Sequence, residues 1–399
     1  MHELGVEFLR QGHEVTIVAP SDTIAKTFHL STEDGLRIVR VKSGRIKGAA
    51  KVLRAFREVR LSQTIWRHAR QFLRANPADL ILFYSPTIFF GKLVRLLKEQ
   101  WKCPAYLILR DIFPQWAVDT GILRKGLVWR YFRRKESEQY AAADVIAVET
   151  LANLEYFAQE FPGKPYRLQV LYNWAKPDER ALPSTGFRER LCLQGKVLFL
   201  YGGNIGVVQD LDNIIRLAKR LTPHSQIHFL LVGEGSEVPR LEKLIAANDL
   251  TNIQILPAMT HSQYMSMLSE ADVGLISLDR RLKTHNVPGK LLGYMNCAKP
   301  ILASINPGNV LFEILENNQA GICLLNGDDD GLCTAALMLA NNPELRITMG
   351  INSRRLLNEL FSVEAAVRQI TQQFQACLNQ VDEKTMIQIA NSSSAAPIN

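Results

Sequence analysis

The sequence predicts an α/β protein made of two tandem doubly wound domains, and three observations carry that prediction. Short apolar runs rich in β-branched residues alternate with stretches of helical periodicity from one end of the chain to the other,. The alternation breaks once, over Tyr172–Gly186, where YNWAKPDERALPSTG gathers two prolines among mixed charges,. Glycine-rich turns stand directly after several of the apolar runs, as they do where buried parallel strands hand over to helices,. At 399 residues, 47% hydrophobic and 22% charged, the chain suits two ordinary domains, whereas a single core would be unusually large,.

The first series opens on an amphipathic helix over Met1–Arg10, ended at Gly12 with His13 in the turn, and continues into a strand over Val15–Ala19,. A doubly wound domain places a strand and its loop before such a helix. The expectation is therefore that the first strand is missing and that the chain lacks about 15 to 25 residues at its N-terminus, the length of one strand-loop unit. Leu36–Val41 reads as the next strand. A long basic helix follows from about Ala49 to Ala75, with Val52, Phe56, Val59, Trp66, Ala69 and Leu73 as its apolar stripe,. Leu80–Tyr84, Ala105–Leu109, Val145–Val148 and Leu168–Leu171 complete a sheet expected to be parallel throughout,.

After the break, strands centred near Val197, His228, Ile253, Val273, Ile301 and Ile322 form the second series. Helices over Pro343–Leu360 and Val363–Asn379 close the chain, and Ile387–Asn399 is polar,. The expected organisation is an N-terminal domain over 1–172, a linker over 173–186 and a second domain over 187–360. A closing helix over 361–380 packs back on the first domain, and a disordered tail covers 381–399.

Charge is unevenly placed. Residues 1–172 hold 27 Lys and Arg against 17 Asp and Glu, although the whole chain is only +8, and between Arg37 and Arg74 there are 12 basic residues and one acidic, Glu58,. No apolar run approaches the length needed to cross a membrane, and the N-terminus carries no cleavable leader pattern, so a cytoplasmic protein is expected,. The six cysteines show no C-x-x-C pair and no histidine at ligand spacing, which predicts reduced core thiols,. Asp328-Asp329-Asp330 opens an apolar helix and reads as an N-cap cluster, so no metal site is expected,.

The chain is organised around Lys196–Leu221, KVLFLYGGNIGVVQDLDNIIRLAKRL. A buried strand runs into Gly202 and Gly203, and an amphipathic helix follows with Leu211, Ile214, Ile215, Leu217, Ala218 and Leu221 on one side. Bare backbone N–H groups and the positive end of a helix then meet at one place, which suits a diphosphate; the same glycines could serve tight turning alone. The unit recurs at Ile227–Val232 before Gly233-Glu234-Gly235, and at Asn252–Leu256 before Pro257-Ala258-Met259. With His285-Asn286-Val287-Pro288-Gly289-Lys290, all these segments follow strands, where open α/β sheets bind ligands,.

The segments GGNIG, FLLVGEGSEVPRLE, ILPAMTHSQYMSMLSEADVGLISL and NVPGKLLGYMNCAKPILAS, in this order, resemble the nucleotide-sugar-binding half of retaining family-4 glycosyltransferases of GT-B fold. More narrowly, nearly the whole chain resembles the WbuB-type L-fucosamine transferases of bacterial surface polysaccharide assembly. The resemblance implies two Rossmann-like domains facing a cleft. The donor site would comprise Gly202, Gly203, Asn204, Gly206 and Gln209 at the diphosphate, with Gly233, Glu234 and Gly235 beside them. Pro257, Ala258 and Met259 would lie against the nucleobase, and His285, Asn286, Val287, Pro288 and Gly289 would lead to Lys290, which neutralises the leaving phosphate without a metal or other cofactor. Two family features are absent: the paired glutamates fall on His285 and Gly293, and no basic residue follows the first glycine loop.

In the first domain LRDIFPQW, Leu109–Trp116, resembles a segment near the family's cleft. Arg110 would contact the acceptor, and Asp111 would orient or deprotonate its hydroxyl; an ion pair or a helix cap is the alternative,. The basic stretch with Phe56, Trp66 and Phe72, and a second cluster over Trp129–Lys135, point to an anionic membrane surface rather than to nucleic acid,. The implied reaction moves a hexosamine-type sugar, an N-acetylated deoxyhexosamine such as L-fucosamine, from a UDP-sugar to a glycan on a polyprenyl diphosphate. The alternatives are a nucleotide-sugar 2-epimerase of the same fold and a catalytically dead donor-binding subunit.

Overall fold

A computed structural model of the chain describes residues 1–44, 51–85, 87–119, 123–177, 186–282 and 287–376. They form two compact units, one of residues 1–171 with 366 onward, the other of residues 172–365. Of the expected site residues, His285 and Asn286 lie outside the described residues, as do most of the expected linker and the tail.

Unit 1 runs α1 (His2–Arg10), β1 (Thr16–Ser21), β2 (Phe28–Glu33), β3 (Leu36–Lys42), α2 (Lys51–Ala75), β4 (Ile81–Ser85), α3 (Gly91–Trp101), β5 (Ala105–Leu109), α4 (Gln115–Asp119), α5 (Leu127–Tyr140), β6 (Val145–Val148), α6 (Leu151–Glu160) and β7 (Leu168–Val170). Its seven strands form two sheets rather than one: β1-β3-β2 and the all-parallel β4-β5-β6-β7. Contrary to the parallel expectation, β2 pairs antiparallel with β3, through a tight turn at Asp34 (φ 49°) and Gly35 (φ 81°). The Asp-Gly dipeptide between alternating strands supplies the two positive φ angles that a two-residue hairpin needs.

A single core joins both sheets, with Val39 and Val41 of β3 beside Phe83 of β4 and Leu107 of β5. The buried stripe of α2 is Leu61, Ile65, Ala69 and Leu73: the expected Ala69 and Leu73 lie on it, whereas Leu61 and Ile65 stand where Val59 and Trp66 were expected,. Trp66 is only half-buried under Arg74, Val59 is exposed, and the side chains of residues 51–56 are not among those described. Gln369, within the helix over 363–376, donates its side-chain amide to Val170 O at 2.7 Å and ties the returning chain to β7.

Unit 2 runs α7 (Phe187–Arg190), β8 (Val197–Gly202), α8 (Asp212–Arg220), β9 (Ile227–Val232), α9 (Val238–Ala247), β10 (Ile253–Leu256), α10 (His261–Glu270), β11 (Val273–Ser277), α11 (Lys290–Asn296), β12 (Ile301–Ile305), α12 (Leu311–Asn317), β13 (Gly321–Leu325), α13 (Asp329–Asn341) and α14 (Pro343–Leu356). One parallel sheet has the order β10-β9-β8-β11-β12-β13. The period-2 alternation of strand side chains divides its core in two. Leu198 and Leu200 pack with α10, α11 and α12, whereas Phe199 and Tyr201 pack with α8, α9 and α13.

The triple aspartate is accounted for as a cap. Asp328 accepts from Gly331 N at 2.9 Å, Asp329 pairs with Arg216 and Asp330 with Arg220,. The cysteines are less uniformly internal than expected: Cys103 and Cys323 are buried, Cys297 and Cys333 half-buried and Cys192 exposed, while Cys377 lies outside the described residues. No helix among the described residues is long and apolar enough to cross a membrane.

Candidate active site

The order of the second sheet reverses direction at β8, whose neighbours β9 and β11 lie on either side. Chains leaving the carboxyl ends of β8 and β11 therefore diverge onto opposite faces and leave a crevice at the switch point. The glycine loop follows β8, and the segment leading to Lys290 follows β11. Both expected parts of the donor site thus stand at one end of the central strands.

Packing dictates the glycines. A Cβ on Gly202 would lie 2.0 Å from Tyr264 Oη, and one on Gly235 would lie 2.0 Å from Ile205 O. The two glycine loops continue the β8–β9 ladder past the strand ends: Gly203 N donates to Val232 O at 2.9 Å, Ile205 N to Glu234 O at 2.8 Å and Glu237 N to Ile205 O at 3.1 Å. Ile205 is completely buried and anchors the loop, while Gly203, Asn204, Glu234 and Gly235 remain exposed above it. The loop does not enter α8 directly as the sequence implied. A 3₁₀ turn over Val207–Gln209 and Asp210 (φ 40°) come between, so the helix begins only at Asp212.

Gln209 closes this detour on itself. Its Oε1 accepts from Asn204 Nδ2 at 2.8 Å and from Gly206 N at 3.1 Å, and its carbonyl accepts from Ser277 Oγ at the end of β11. Val207 and Val208 stand 60% and 48% exposed beside it, an apolar rim that the sequence reading passed over.

Lys290 begins α11 next to buried Val287, half-buried Pro288 and exposed Gly289. One turn on, Tyr294 accepts from Gly202 N at 3.2 Å and donates to Leu275 O at 2.9 Å, fixing the helix to β8 and β11. Gly274 in β11 makes room for that ring, since a Cβ there would lie 2.4 Å from it. The Lys290 ammonium sits 3.7 Å from the centroid of the Tyr201 ring and has no carboxylate or hydrogen-bond partner among the described residues. Burial lowers its pKa to about 7,.

Pro257 and Ala258 are exposed and Met259 half-buried after β10, just before the Thr260 cap of α10. At Gly293, where the family's second glutamate falls, the Cβ direction points to Leu268 Cδ2 at 3.5 Å and Met265 Sδ at 4.0 Å. Arg281, another cation after β11, is paired with Asp279.

In unit 1, Arg110 and Asp111 follow β5. Arg110 donates to Leu171 O at 2.7 Å; burial lowers its pKa while Glu149 opposes the shift. Partial burial raises the Asp111 carboxyl above its usual range. Glu149 was not singled out from the sequence, yet it is only 6% exposed directly after β6, and its pKa is raised by burial against the pull of Arg110 and with a contribution from Asp111. Its signal was an acidic residue at the carboxyl end of a wholly apolar strand.

Residues 1–174 match the family described as glycosyl transferase 4-like domain, and residues 187–356 match the family described as glycosyl transferases group 1. Among curated relatives, a Pseudomonas aeruginosa protein named as the glycosyltransferase WbjE is 27% identical over 284 residues, covering 69% of this chain and 67% of that one. An Escherichia coli (strain K12) protein named for colanic acid biosynthesis, the glycosyl transferase WcaI, is 35% identical over 230 residues; the match spans 53% of this chain and about half, 54%, of the relative. Among solved structures, Anabaena HepE in complex with UDP superposes with a TM-score of 0.62 at 15% identity, over 86% of this chain and 87% of that one. With both halves matched and the doubly wound architecture in place, the chain belongs to the glycosyltransferases of GT-B fold, a glycosyl transferase 4-like domain followed by a group 1 domain.

Proposed function

We propose that the chain transfers a sugar from a UDP-sugar to a glycan acceptor in surface polysaccharide assembly, with retention of anomeric configuration. The observation that carries this reading is the Lys290 ammonium, held without a counter-charge among the described residues beside the glycine loop at the switch point of the second sheet. A desolvated cation next to the exposed loop residues Gly203 and Asn204 is complementary to a diphosphate that gains charge as it leaves,. The site residues are those predicted: Gly202, Gly203, Asn204, Gly206 and Gln209 with Gly233–Gly235 around the diphosphate, Pro257–Met259 along the base, and His285–Gly289 leading to Lys290. Lys290 supplies the neutralising charge, and this reading assigns no metal or cofactor to the step. UDP in HepE, whose fold is shared, supports the choice of nucleotide.

On the acceptor side, Arg110 binds the acceptor and Asp111 takes its proton or orients its hydroxyl. The raised Asp111 carboxyl and its electrostatic tie to Glu149 support a proton-handling role. The hexosamine-type donor, of the N-acetylated deoxyhexosamine class, rests on the resemblance of the sequence. The acceptor is a glycan on a polyprenyl diphosphate, and the protein works at the inner, anionic face of the membrane. Support for the lipid comes from α5, where Leu127 (82% exposed), Val128 (58%) and Tyr131 stand out among exposed Arg124, Lys125, Arg130 and Arg134,.

A panel of UDP-sugars offered with lipid-linked acceptor extract, read by mass spectrometry, tests the reading. Expected is a mass gain of one sugar on the acceptor with release of UDP. Conversion of a UDP-sugar without acceptor would make the chain an epimerase, and UDP binding with no turnover of any donor would make it a binding subunit.

A further inference from the structure

Tyr201 is the last side chain of β8 before the glycines, completely buried in the core under α8. Its two ends do different things. The ring face lies under the Lys290 ammonium, 3.7 Å from nitrogen to centroid, and the hydroxyl donates to Asn204 O at 2.6 Å. The apolar residues of α11 belong to the opposite core, so the Lys290 side chain crosses the end of β8 to reach the ring. It passes at Gly203, whose Cβ position is 3.4 Å from Lys290 Cε.

We infer that Tyr201 is a positioning residue of the donor site, whose ring seats the Lys290 ammonium while its hydroxyl holds the loop carbonyl of Asn204, fixing the cation and the glycine loop relative to one another. The inference rests on the donor-site reading above and adds a residue to it. An aromatic seat has a chemical advantage over an acidic one. The ring quadrupole attracts the ammonium without cancelling its charge, so the full positive charge stays available to the diphosphate. A carboxylate in the same place would form an ion pair and leave the donor to compete for the cation. The hydroxyl end limits the loop as well, because the Asn204 carbonyl it holds cannot swing towards an incoming phosphate oxygen.

The test is a double-mutant cycle on the full chain, read as UDP affinity by calorimetry at pH 6, where Lys290 is charged before UDP binds,. Expected is a roughly tenfold loss for Tyr201→Leu in the parent and less than about twofold in a Lys290→Met background. Tyr201→Phe keeps the ring and should retain most of the coupling. Should Tyr201→Leu fail to give a cooperative melt, fluorinated phenylalanines at position 201 take its place. They keep the shape of the ring and drain its face, and affinity should fall stepwise with fluorine content. An equal loss for Tyr201→Leu with and without Lys290, or no dependence on fluorination, reduces Tyr201 to core packing and overturns the inference alone. Unchanged UDP binding by Lys290→Met overturns the donor-site reading together with it.

Discussion

Gly233 lies so close to Gly203 that a Cβ on Gly233 would stand 1.8 Å from the Gly203 carbonyl oxygen. The contact joins the two glycine loops and fixes the height of the Gly203 amide relative to the sheet, because Gly203 N donates to Val232 O from the same strand end. Gly233 also has φ +157°. Gly233→Ala should therefore cost at least about 2 kcal/mol of stability and abolish UDP binding. Gly195→Ala is the control: it shares a positive φ but has open space around it, and should cost about 1 kcal/mol with UDP affinity intact,. Urea titration and calorimetry on both variants check this, and parental UDP affinity in Gly233→Ala would remove the loop contact from the donor site.

Lys290 makes UDP binding a proton-linked event. Its pKa is lowered to about 7 by desolvation, and a bound diphosphate favours the charged form and raises it,. Below pH 7 the lysine is already charged, so affinity contributed by this group is constant. Above pH 7 each binding event must take up a proton, and affinity falls, by up to tenfold per pH unit until the pKa of the complex is reached. Calorimetry at pH 8 in buffers of different ionisation enthalpy should show uptake approaching one proton, and Lys290→Met should show none. Zero uptake by the parent protein would mean that the phosphate does not meet this ammonium.

Much of the backbone around the candidate site was legible because short-range patterns encode it. The apolar run from Val197 with its two glycines gave β8 and the loop almost to the residue, and the repeat of that unit gave the sheet. The residues missed depend on contacts distant in sequence. Tyr201 reads as one more apolar strand residue until Lys290, from another strand's crossover, is laid over its ring. Glu149 looks like any acidic residue at a helix start until Arg110 and Asp111, from the neighbouring strand, are placed beside it. The hairpin β2–β3 was legible in Asp34-Gly35 and was overlooked, because the expectation of a uniformly parallel sheet outweighed local turn chemistry,. On α2 the expected stripe holds at Ala69 and Leu73 and misses at Val59 and Trp66, since large apolar residues at a helix flank fit the same period as those in its core,.

Glu149→Gln separates acceptor chemistry from donor binding. The substitution keeps the shape of a side chain buried after β6 and removes the charge facing Arg110 and Asp111. UDP affinity should be unchanged, while the transfer rate falls at least about tenfold if proton handling by this carboxylate pair contributes. Steady-state kinetics with donor and acceptor varied separately reads the two effects, and a parental rate would leave Glu149 with a structural role only.

His228 sets part of the acid sensitivity of the second unit. It is 5% exposed on β9, its Nε2 has no hydrogen-bond partner among the described residues, and burial first and Lys196 second lower its pKa from 6.5 to about 4. Above pH 6.5 the imidazole is neutral in both states and contributes no pH dependence. As pH falls from 6.5 towards 4 the unfolded chain takes up a proton that the folded chain refuses, so stability is lost through that window. The loss at pH 4.5 is about 2 to 3 kcal/mol. Urea unfolding of His228→Leu between pH 7 and 4.5 should show a slope flatter by that amount, the carboxylate contributions being common to both proteins.

The start of α5 offers the most specific test of the membrane. The sequence pointed to Trp66 and Phe72 on α2 and to the whole of Trp129–Lys135, but these residues divide sharply. Phe72 packs against Phe28, Trp66 lies under Arg74, and Phe132 stacks edge-on with Phe89 and Phe113. Arg133 is committed to Glu136, Glu160 and the Phe161 ring. What faces water is Leu127, Val128 and Tyr131 within a ring of Arg124, Lys125, Arg130 and Arg134, on a helix whose other side is anchored by fully buried Glu136 and Tyr140. An apolar tip with a basic collar combines burial among acyl chains with attraction to anionic headgroups, and each basic residue near such a surface contributes about 1 kcal/mol. Flotation with vesicles containing phosphatidylglycerol should capture the protein at low salt. Leu127→Ser with Val128→Ser should weaken capture at any salt, whereas Arg130→Gln with Arg134→Gln should weaken it at low salt only, because screening already removes their contribution at high salt. Arg133→Gln should unsettle the Glu136 network and lower stability instead. Capture that is indifferent to both surface pairs, or equal with neutral vesicles, would return this face to an ordinary solvated surface.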